Sequence, residues 1–296
     1  VLIRELSLRQ QVELICPEGW REQAHALLTH AGALAEQITW HPWPLNDAWC
    51  RDHGPLFVHN PSGGLEVVDV PFNAWGGKFT PWQHDDDIAS RVSEQRKLPF
   101  HRVPVFGEGG ALEVNATGVL MTTESVWLNP NRNPDLTREK AEEIFAEFLG
   151  ITETVWLPDG MEHDDTDGHI DTLARFVEES HVVVPVAAAG DPDAAVLNRN
   201  RDLLRERFTV SELPHPPAKP SRQFPDRRLP RSYANFLLIN DAVLVPIYAE
   251  PDSDGRTLGI LRDLFPHREI VPVLCTHLVE EGGAVHCLTM QEPMAY

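Results

Sequence analysis

Cysteine is scarce in this chain of 296 residues, which has four, at Cys16, Cys50, Cys275 and Cys287. None stands in a C-x-x-C pair, which excludes zinc knuckles and thioredoxin-type redox motifs. Four cysteines in so long a chain do not make a disulfide framework, and a reducing cytoplasm fits that usage. No run of 18 apolar residues occurs and no secretory leader is visible. The chain opens on Val1 rather than Met, which leaves a preceding segment, and with it secretion, open. Basic residues are also in deficit, 25 Lys and Arg against 45 Asp and Glu, for a formal net charge of −20. Such a surface repels nucleic-acid phosphates and anionic lipid headgroups and attracts cations. It is equally a device for solubility, so it permits a cationic substrate without demonstrating one.

What is present points to a packed globule. Hydrophobic residues make up 42% of the chain, with 8 Trp and 12 Phe, enough for a sizeable core in one large domain or two ordinary ones. A single domain over 1–296 is the expectation. Five segments read as helices: 18–31 after Pro17, 84–96 opening on three aspartates, 138–149, 193–207 and 255–265. The third is the clearest, with Thr137 as N-cap, the run REKAEEIFAEFL and Gly150 as a stop. Between the helices lie β-branched runs that read as strands: 65–70, 118–123, 181–186, 241–247 and 268–274.

Helices and strands recur at intervals of roughly 55 to 65 residues. The tetrapeptide Glu108-Gly109-Gly110-Ala111 returns as Glu281-Gly282-Gly283-Ala284, an offset of 173 residues and close to three periods. The pattern predicts an α/β fold of five repeated strand–strand–helix–strand modules closed into a ring. A doubly wound open sheet is the competing architecture.

The same period places the suspicious polar residues. Asp52, Glu113, His169, Asn235 and Cys287 are separated by 61, 56, 66 and 52 residues, so in a ring they would face one central channel. Asp52 sits in Trp49-Cys50-Arg51-Asp52-His53-Gly54-Pro55, where Gly-Pro marks a turn and an Arg–Asp ion pair is the plain alternative. If 169–177 is a strand, His169 and Asp171 share one face, which suits acid/base work or metal binding. The approach to His169 is rich in Asp, yet the EF-hand spacing and its closing Glu are absent. Cys287 follows two glycines and an apolar run and is either a small buried hydrophobe or a nucleophile aimed at the channel. Cys16 and Cys275 end ordinary apolar strands and read as structural, while Cys50 fits either role.

At these residues the sequence resembles the agmatine deiminase family, a peptidyl-arginine deiminase-type branch of the guanidine-modifying superfamily. The motifs run nearly end to end: WCRDHGP (49–55), FNAWGGKF (72–79), EGGALE (108–113) with LNPNRNP (128–134), DGHID (167–171), SYANF (232–236) and GGAVHCLTMQEP (282–293). The resemblance implies a five-bladed α/β-propeller (pentein), with a further strand ahead of residue 1. It implies that Cys287 attacks the guanidinium carbon, that His169 protonates the departing ammonia and then activates water, and that Asp52 and Asp171 grip the guanidinium nitrogens. Trp49 would line the substrate channel. Asp165 stands where the family usually has the Glu that holds the substrate's distal amine, and Glu113 stands where many relatives have His. Glu113 and Asn235 complete the expected substrate-binding set.

The chemistry agrees independently. A guanidinium stays protonated near neutral pH, so its site needs carboxylates, and its delocalised charge makes the carbon a poor electrophile that calls for a thiolate. The expected reaction is hydrolytic deimination of a small cationic guanidine, agmatine giving N-carbamoylputrescine and ammonia, with no metal or cofactor. No nucleic acid or membrane partner is expected, and a homodimer is a candidate assembly. Three rivals remain at this stage. They are a deiminase for arginine or peptidyl-arginine, or an amidino-transfer enzyme; a metal-dependent hydrolase using His163, Asp164, Asp165, His169 and Asp171; and a guanidine-binding protein without turnover.

Overall fold

The computed structural model describes residues 1–162 and 164–294. Among them, four three-stranded sheets repeat one topology. The first joins β3 (Leu56–His59), β4 (Leu65–Asp69) and β5 (Phe100–Arg102), and the second β6 (Glu113–Val114), β7 (Val119–Thr123) and β8 (Glu153–Leu157). The third joins β9 (Arg175–Glu178), β10 (His181–Val186) and β11 (Thr209–Pro214), and the fourth β12 (Leu237–Ile239), β13 (Ala242–Ile247) and β14 (Glu269–Leu274). In each, the first two strands form an antiparallel hairpin and a helix then crosses over to a third strand parallel to the second. A further parallel pair, β1 (Val12–Ile15) and β2 (Ile38–His41), is bridged by the helix Arg21–Ala31.

The crossover helices of the four sheets are Ile88–Arg96, Arg138–Leu149, Ala194–Arg205 and Pro251–Leu264. The expected helix over 138–149 is present with its cap: Lys140 N donates to Thr137 Oγ1 at 3.3 Å, and Gly150 closes the helix at φ 68°. The predicted helix over 84–96 is instead two pieces, Gln83–Asp86 and Ile88–Arg96, and the fifth helix begins earlier than 255, with Pro251 in its first turn, where a missing N–H costs nothing.

The central strand of each sheet carries the core. All five residues of β7 are buried, as are Ala242 to Pro246 of β13, because each of these strands has a neighbour on both edges and packing on its faces. The chain tolerates proline there by position. Pro185 and Pro246 lie beyond the last residues paired with the antiparallel partner, Val183 and Leu244, where that ladder asks for no N–H. The largest apolar cluster groups Tyr233, Phe236, Leu244, Tyr248 and Leu261 around β13.

The repeat also sets where polar residues fall. In each of the four units, the irregular segment just before the first strand carries them: Cys50–His53 before β3, Gly109–Ala111 before β6, Ile170–Thr172 before β9, and Ser232 to Asn235 before β12.

Candidate active site

Three of these segments meet at Cys287, and the fourth, Gly109–Ala111, lies against Asp52 and His169. Arg51 N donates to the Cys287 carbonyl at 3.0 Å, which ties the Asp52 turn to the segment after β14. Asn235 Nδ2 lies 3.2 Å and Asp171 Oδ2 3.8 Å from Cys287 Sγ. His169 Nδ1 stands 3.6 Å from Asp52 Oδ1, and its Nε2 stands 3.5 Å from Glu108 Oε2. A narrow cavity is walled by Cys287, His169, Asp171, Asn235 and Asp164 among others.

His169 and Asp171 do not lie on a strand. His169 caps the N-terminus of a 3₁₀ turn, Ile170–Thr172, Asp171 lies inside that turn, and β9 begins only at Arg175. Both side chains nonetheless line one cavity.

Close approach depends on glycine at two points. A Cβ on Gly110 would lie 2.5 Å from His169 Nδ1 and 2.7 Å from Asp52 Oδ1. One on Gly283 would lie 2.5 Å from Trp49 Cζ3 and 3.1 Å from Cys287 Cβ. The repeated Gly-Gly pairs thus serve the same end in both copies, letting backbone run against the reacting groups.

Sequence reasoning left out several groups that hold the site. Asp52 is fixed by two donors, Trp75 Nε1 at 3.0 Å and Gly110 N at 3.2 Å. Trp75 reaches it from a backbone in the left-handed region (φ 54°), a conformation a bulky residue adopts only when its surroundings enforce it. Glu108 is fully buried, and Arg132 Nε donates to both of its oxygens at 2.8 and 3.0 Å. Arg132 continues to Asp167 at 2.6 Å, so a buried ion-pair chain backs the imidazole. His286 Nδ1 lies 2.7 Å from Asp171 Oδ2. Trp75, Glu108 and His286 all fall inside quoted motifs, but spacing alone does not tell which motif residue turns inward.

Other expected residues are placed differently. Glu113 accepts from Arg175 Nε and from Phe176 N, both at 2.8 Å, and so joins the second sheet to the third; of the two glutamates in EGGALE it is Glu108 that stands beside the imidazole. Trp49 is buried with Phe72, Trp75 and Cys287, behind the nucleophile, and lines neither the inner cavity nor the outer one. Asp165 belongs to an outer cavity of about 140 Å3, which meets the inner one at Pro230 and Gly282, and its carboxylate pairs with Arg227. His163 lies outside the described residues. Among the described residues, the trio with metal-ligand proximity is Asp191, Asp193 and His215, not the acidic run before His169.

The electrostatics follow from burial and mutual charge. Burial pushes the Cys287 thiol well above its ordinary pKa, and the Asp171 and Asp52 charges push it further. Burial works against a charged His169, but the Asp52 and Glu108 carboxylates outweigh it and hold the imidazole protonated up to about 9. Asp171 is raised to about 7 by burial, against the pull of His169. His286 is driven well below the usual histidine range by burial and by the Arg175 and Arg51 charges, so its ring is neutral. The site thus pairs a neutral thiol with an imidazolium.

Known proteins match this chain over most of its length. Residues 1–293 match the Porphyromonas-type peptidyl-arginine deiminases. An agmatine deiminase of Stutzerimonas stutzeri is 37% identical over 279 residues, spanning 85% of this chain and 76% of that protein. One from Pseudomonas putida is 36% identical over 320 aligned residues, spanning 99% and 85%. The solved agmatine deiminase of Enterococcus faecalis superposes with a TM-score of 0.92 at 28% identity, covering 100% of this chain and 86% of that one. That of C. jejuni with substrate bound gives 0.86 at 29% identity, covering 96% and 83%. With its cysteine, histidine and paired carboxylates convergent and its sequence matched from residue 1 to 293, this chain belongs to the Porphyromonas-type peptidyl-arginine deiminase family.

Proposed function

We propose that this protein hydrolyses agmatine to N-carbamoylputrescine and ammonia through a covalent Cys287 adduct, in a five-bladed propeller whose channel holds the site. The observation that carries the reading is the meeting of Cys287, His169 and Asp171 around one cavity, with Asp52 3.6 Å from the imidazole and Asp171 Oδ1 buried without a hydrogen-bond partner. Donors and acceptors left open at that depth are costly unless a ligand completes them. The agmatine deiminases among the relatives point to the same substrate.

The guanidinium enters between Asp52 and Asp171. Its positive charge offsets the carboxylates that keep the thiol protonated, and Cys287 releases its proton to solvent. The thiolate forms a bond to the central carbon. The imidazolium of His169 gives its proton to a terminal nitrogen as the C–N bond breaks, and ammonia leaves. A thiouronium adduct remains on Cys287. Neutral His169 then takes a proton from water, the hydroxide attacks, and the C–S bond breaks to release the ureido product and the thiolate. Asn235, beside Sγ, steadies the sulfur in both half-reactions.

A carboxylate-bearing substrate such as arginine is the second reading, since Arg227 and Arg228 line the outer cavity. Both cations are already engaged, Arg227 with Asp165, and Arg228 with Glu162 at 2.8 Å and Asp193 at 3.2 Å. That favours the amine-ended substrate. Side-by-side kcat/KM for agmatine, arginine and a peptidyl-arginine tests the reading. Agmatine should lead; arginine equal to or above agmatine would leave only the guanidine-hydrolase class standing.

A further inference from the structure

Arg132 is buried between two sets of partners, and each set bears on His169 in a different way. Its Nε donates to both oxygens of Glu108, at 2.8 and 3.0 Å, and Glu108 Oε2 stands 3.5 Å from Nε2 of the imidazole. Its Nη1 donates to Asp167 Oδ2 at 2.6 Å and its Nη2 to the Thr166 carbonyl at 3.0 Å. Thr166 and Asp167 are the third and second residues before His169, and Thr166 Oγ1 accepts from the His169 backbone N–H at 3.2 Å. One planar guanidinium thus grips both the carboxylate beside the imidazole and the stretch of chain that carries the imidazole.

That stretch is held in an unusual shape. Asp167 has φ 68° and Gly168 φ 111°, so two successive residues lie in the left-handed region just before His169. The Asp167 carboxylate is engaged on both oxygens, Oδ1 by Lys78 at 2.7 Å and Oδ2 by Arg132 and by Asn131 Nδ2 at 3.2 Å. The donors of an arginine lie in one plane at fixed angles, so bonds at Nε and at both Nη atoms fix the two partners relative to each other. A lysine ammonium on its flexible stem holds one partner without fixing the other. Arg132 lines neither the inner cavity nor the outer one, so it reaches the reaction only through what it holds.

Resting on the guanidine-hydrolase reading above, we infer that Arg132 is a positioning residue for the acid/base step, which sets the approach of Glu108 to His169 by bridging Glu108 to the Thr166–Asp167 stretch. Loss of the bridge falls on the steps that use the imidazole, the protonation of the departing nitrogen and the activation of water. The grip of Asp52 and Asp171 on the guanidinium does not pass through Arg132.

The test is turnover of agmatine by full-length protein, with single-turnover assays at high enzyme concentration for the slow variants. Arg132→Lys keeps the charge and loses the bridge; kcat should fall about a hundredfold, the scale of a small misplacement, with KM changed less than about threefold. Asp167→Ala cuts the bridge on the side of the chain stretch, at a half-buried residue, and checks the inference independently of how Arg132→Lys folds. It should lower kcat about tenfold, again with KM little changed. Added to Arg132→Lys, it should cost less than about threefold more, because the two substitutions break the same link. In protein already carrying Glu108→Gln, Arg132→Lys should cost at least about tenfold less than it does alone. Full multiplicative loss in either combination would mean that Arg132 supports the fold at large, and would overturn the inference. So would a rise in KM in place of the fall in kcat, or an Asp167→Ala protein with unchanged kcat. Unaltered protein that releases no ammonia from agmatine, arginine or a peptidyl-arginine would overturn the guanidine-hydrolase reading itself, an outcome separate from the ranking of these variants.

Discussion

His286 Nδ1 donates to Asp171 Oδ2 across 2.7 Å, while Oδ1 of the same carboxylate is buried and open. One oxygen is thus pinned by a neutral ring and the other is left open. The residue next to Cys287 in sequence orients the Asp171 carboxylate. His286→Ala should lower kcat/KM for agmatine about tenfold to a hundredfold, the cost of releasing a buried acceptor. His286→Asn, whose amide can replace the Nδ1 donor, should recover part of the loss. Steady-state kinetics on the two variants decides it; equal loss in both would mean that the ring acts by packing alone.

The proximity of Gly110 to the imidazole gives a steric prediction. Gly110→Ala places a methyl where His169 Nδ1 and Asp52 Oδ1 already lie 2.5 and 2.7 Å away. Overpacking at such a point costs roughly 1–3 kcal/mol of stability and displaces the groups that resist least. The melting temperature should fall by a few degrees and kcat by about a hundredfold or more. Unchanged kcat would show that the Asp52–His169 approach does not matter to the chemistry.

The pH profile follows from two opposed shifts. Asp171 must be ionised to bind a guanidinium, and it titrates near 7 in the free protein, so kcat/KM should rise through about pH 7. His169 must be protonated to release ammonia, and it holds its proton to about 9, so kcat/KM should fall above that. The result is a plateau between the two limbs. Asp52→Asn removes a charge that raises His169 and should move the alkaline limb to lower pH. A limb that stays in place would assign it to another group.

Metal removal supplies a further check. Exhaustive chelation should leave deiminase activity unchanged, and activity restored by a divalent ion after chelation would favour the metallohydrolase reading.

Much of the fold was legible because helix and strand signals recur at one period, and the structure places each long helix as a crossover between parallel strands. The convergence of Asp52, His169, Asn235 and Cys287 was legible for the same reason, since a repeat returns equivalent positions to one place, and Asp171 follows from its spacing of two from His169. Local geometry was not. His169 and Asp171 meet through a 3₁₀ turn rather than a strand, a choice made by tertiary packing. Glu113 looked equivalent to the site residues by spacing, yet the carboxylate five positions earlier, Glu108, is the one held against His169 by Arg132. The Arg132–Glu108 pair joins residues 24 apart, and the pairing of Arg227 with Asp165 joins residues 62 apart, with no local signal for either. The neutralisation of Asp165 cannot be read from two adjacent aspartates.

Covalent catalysis by Cys287 on a guanidine underlies the whole proposed reaction. The direct measurement is the yield of ammonia and of ureido product from agmatine, for the unaltered protein and for Cys287→Ala at matched concentration, with binding to the variant confirmed by calorimetry. Equimolar ammonia and N-carbamoylputrescine are expected from the unaltered protein, and a rate lower by about three orders of magnitude or more from the variant, which still binds agmatine. A variant that binds agmatine and keeps more than a few per cent of the activity would contradict it.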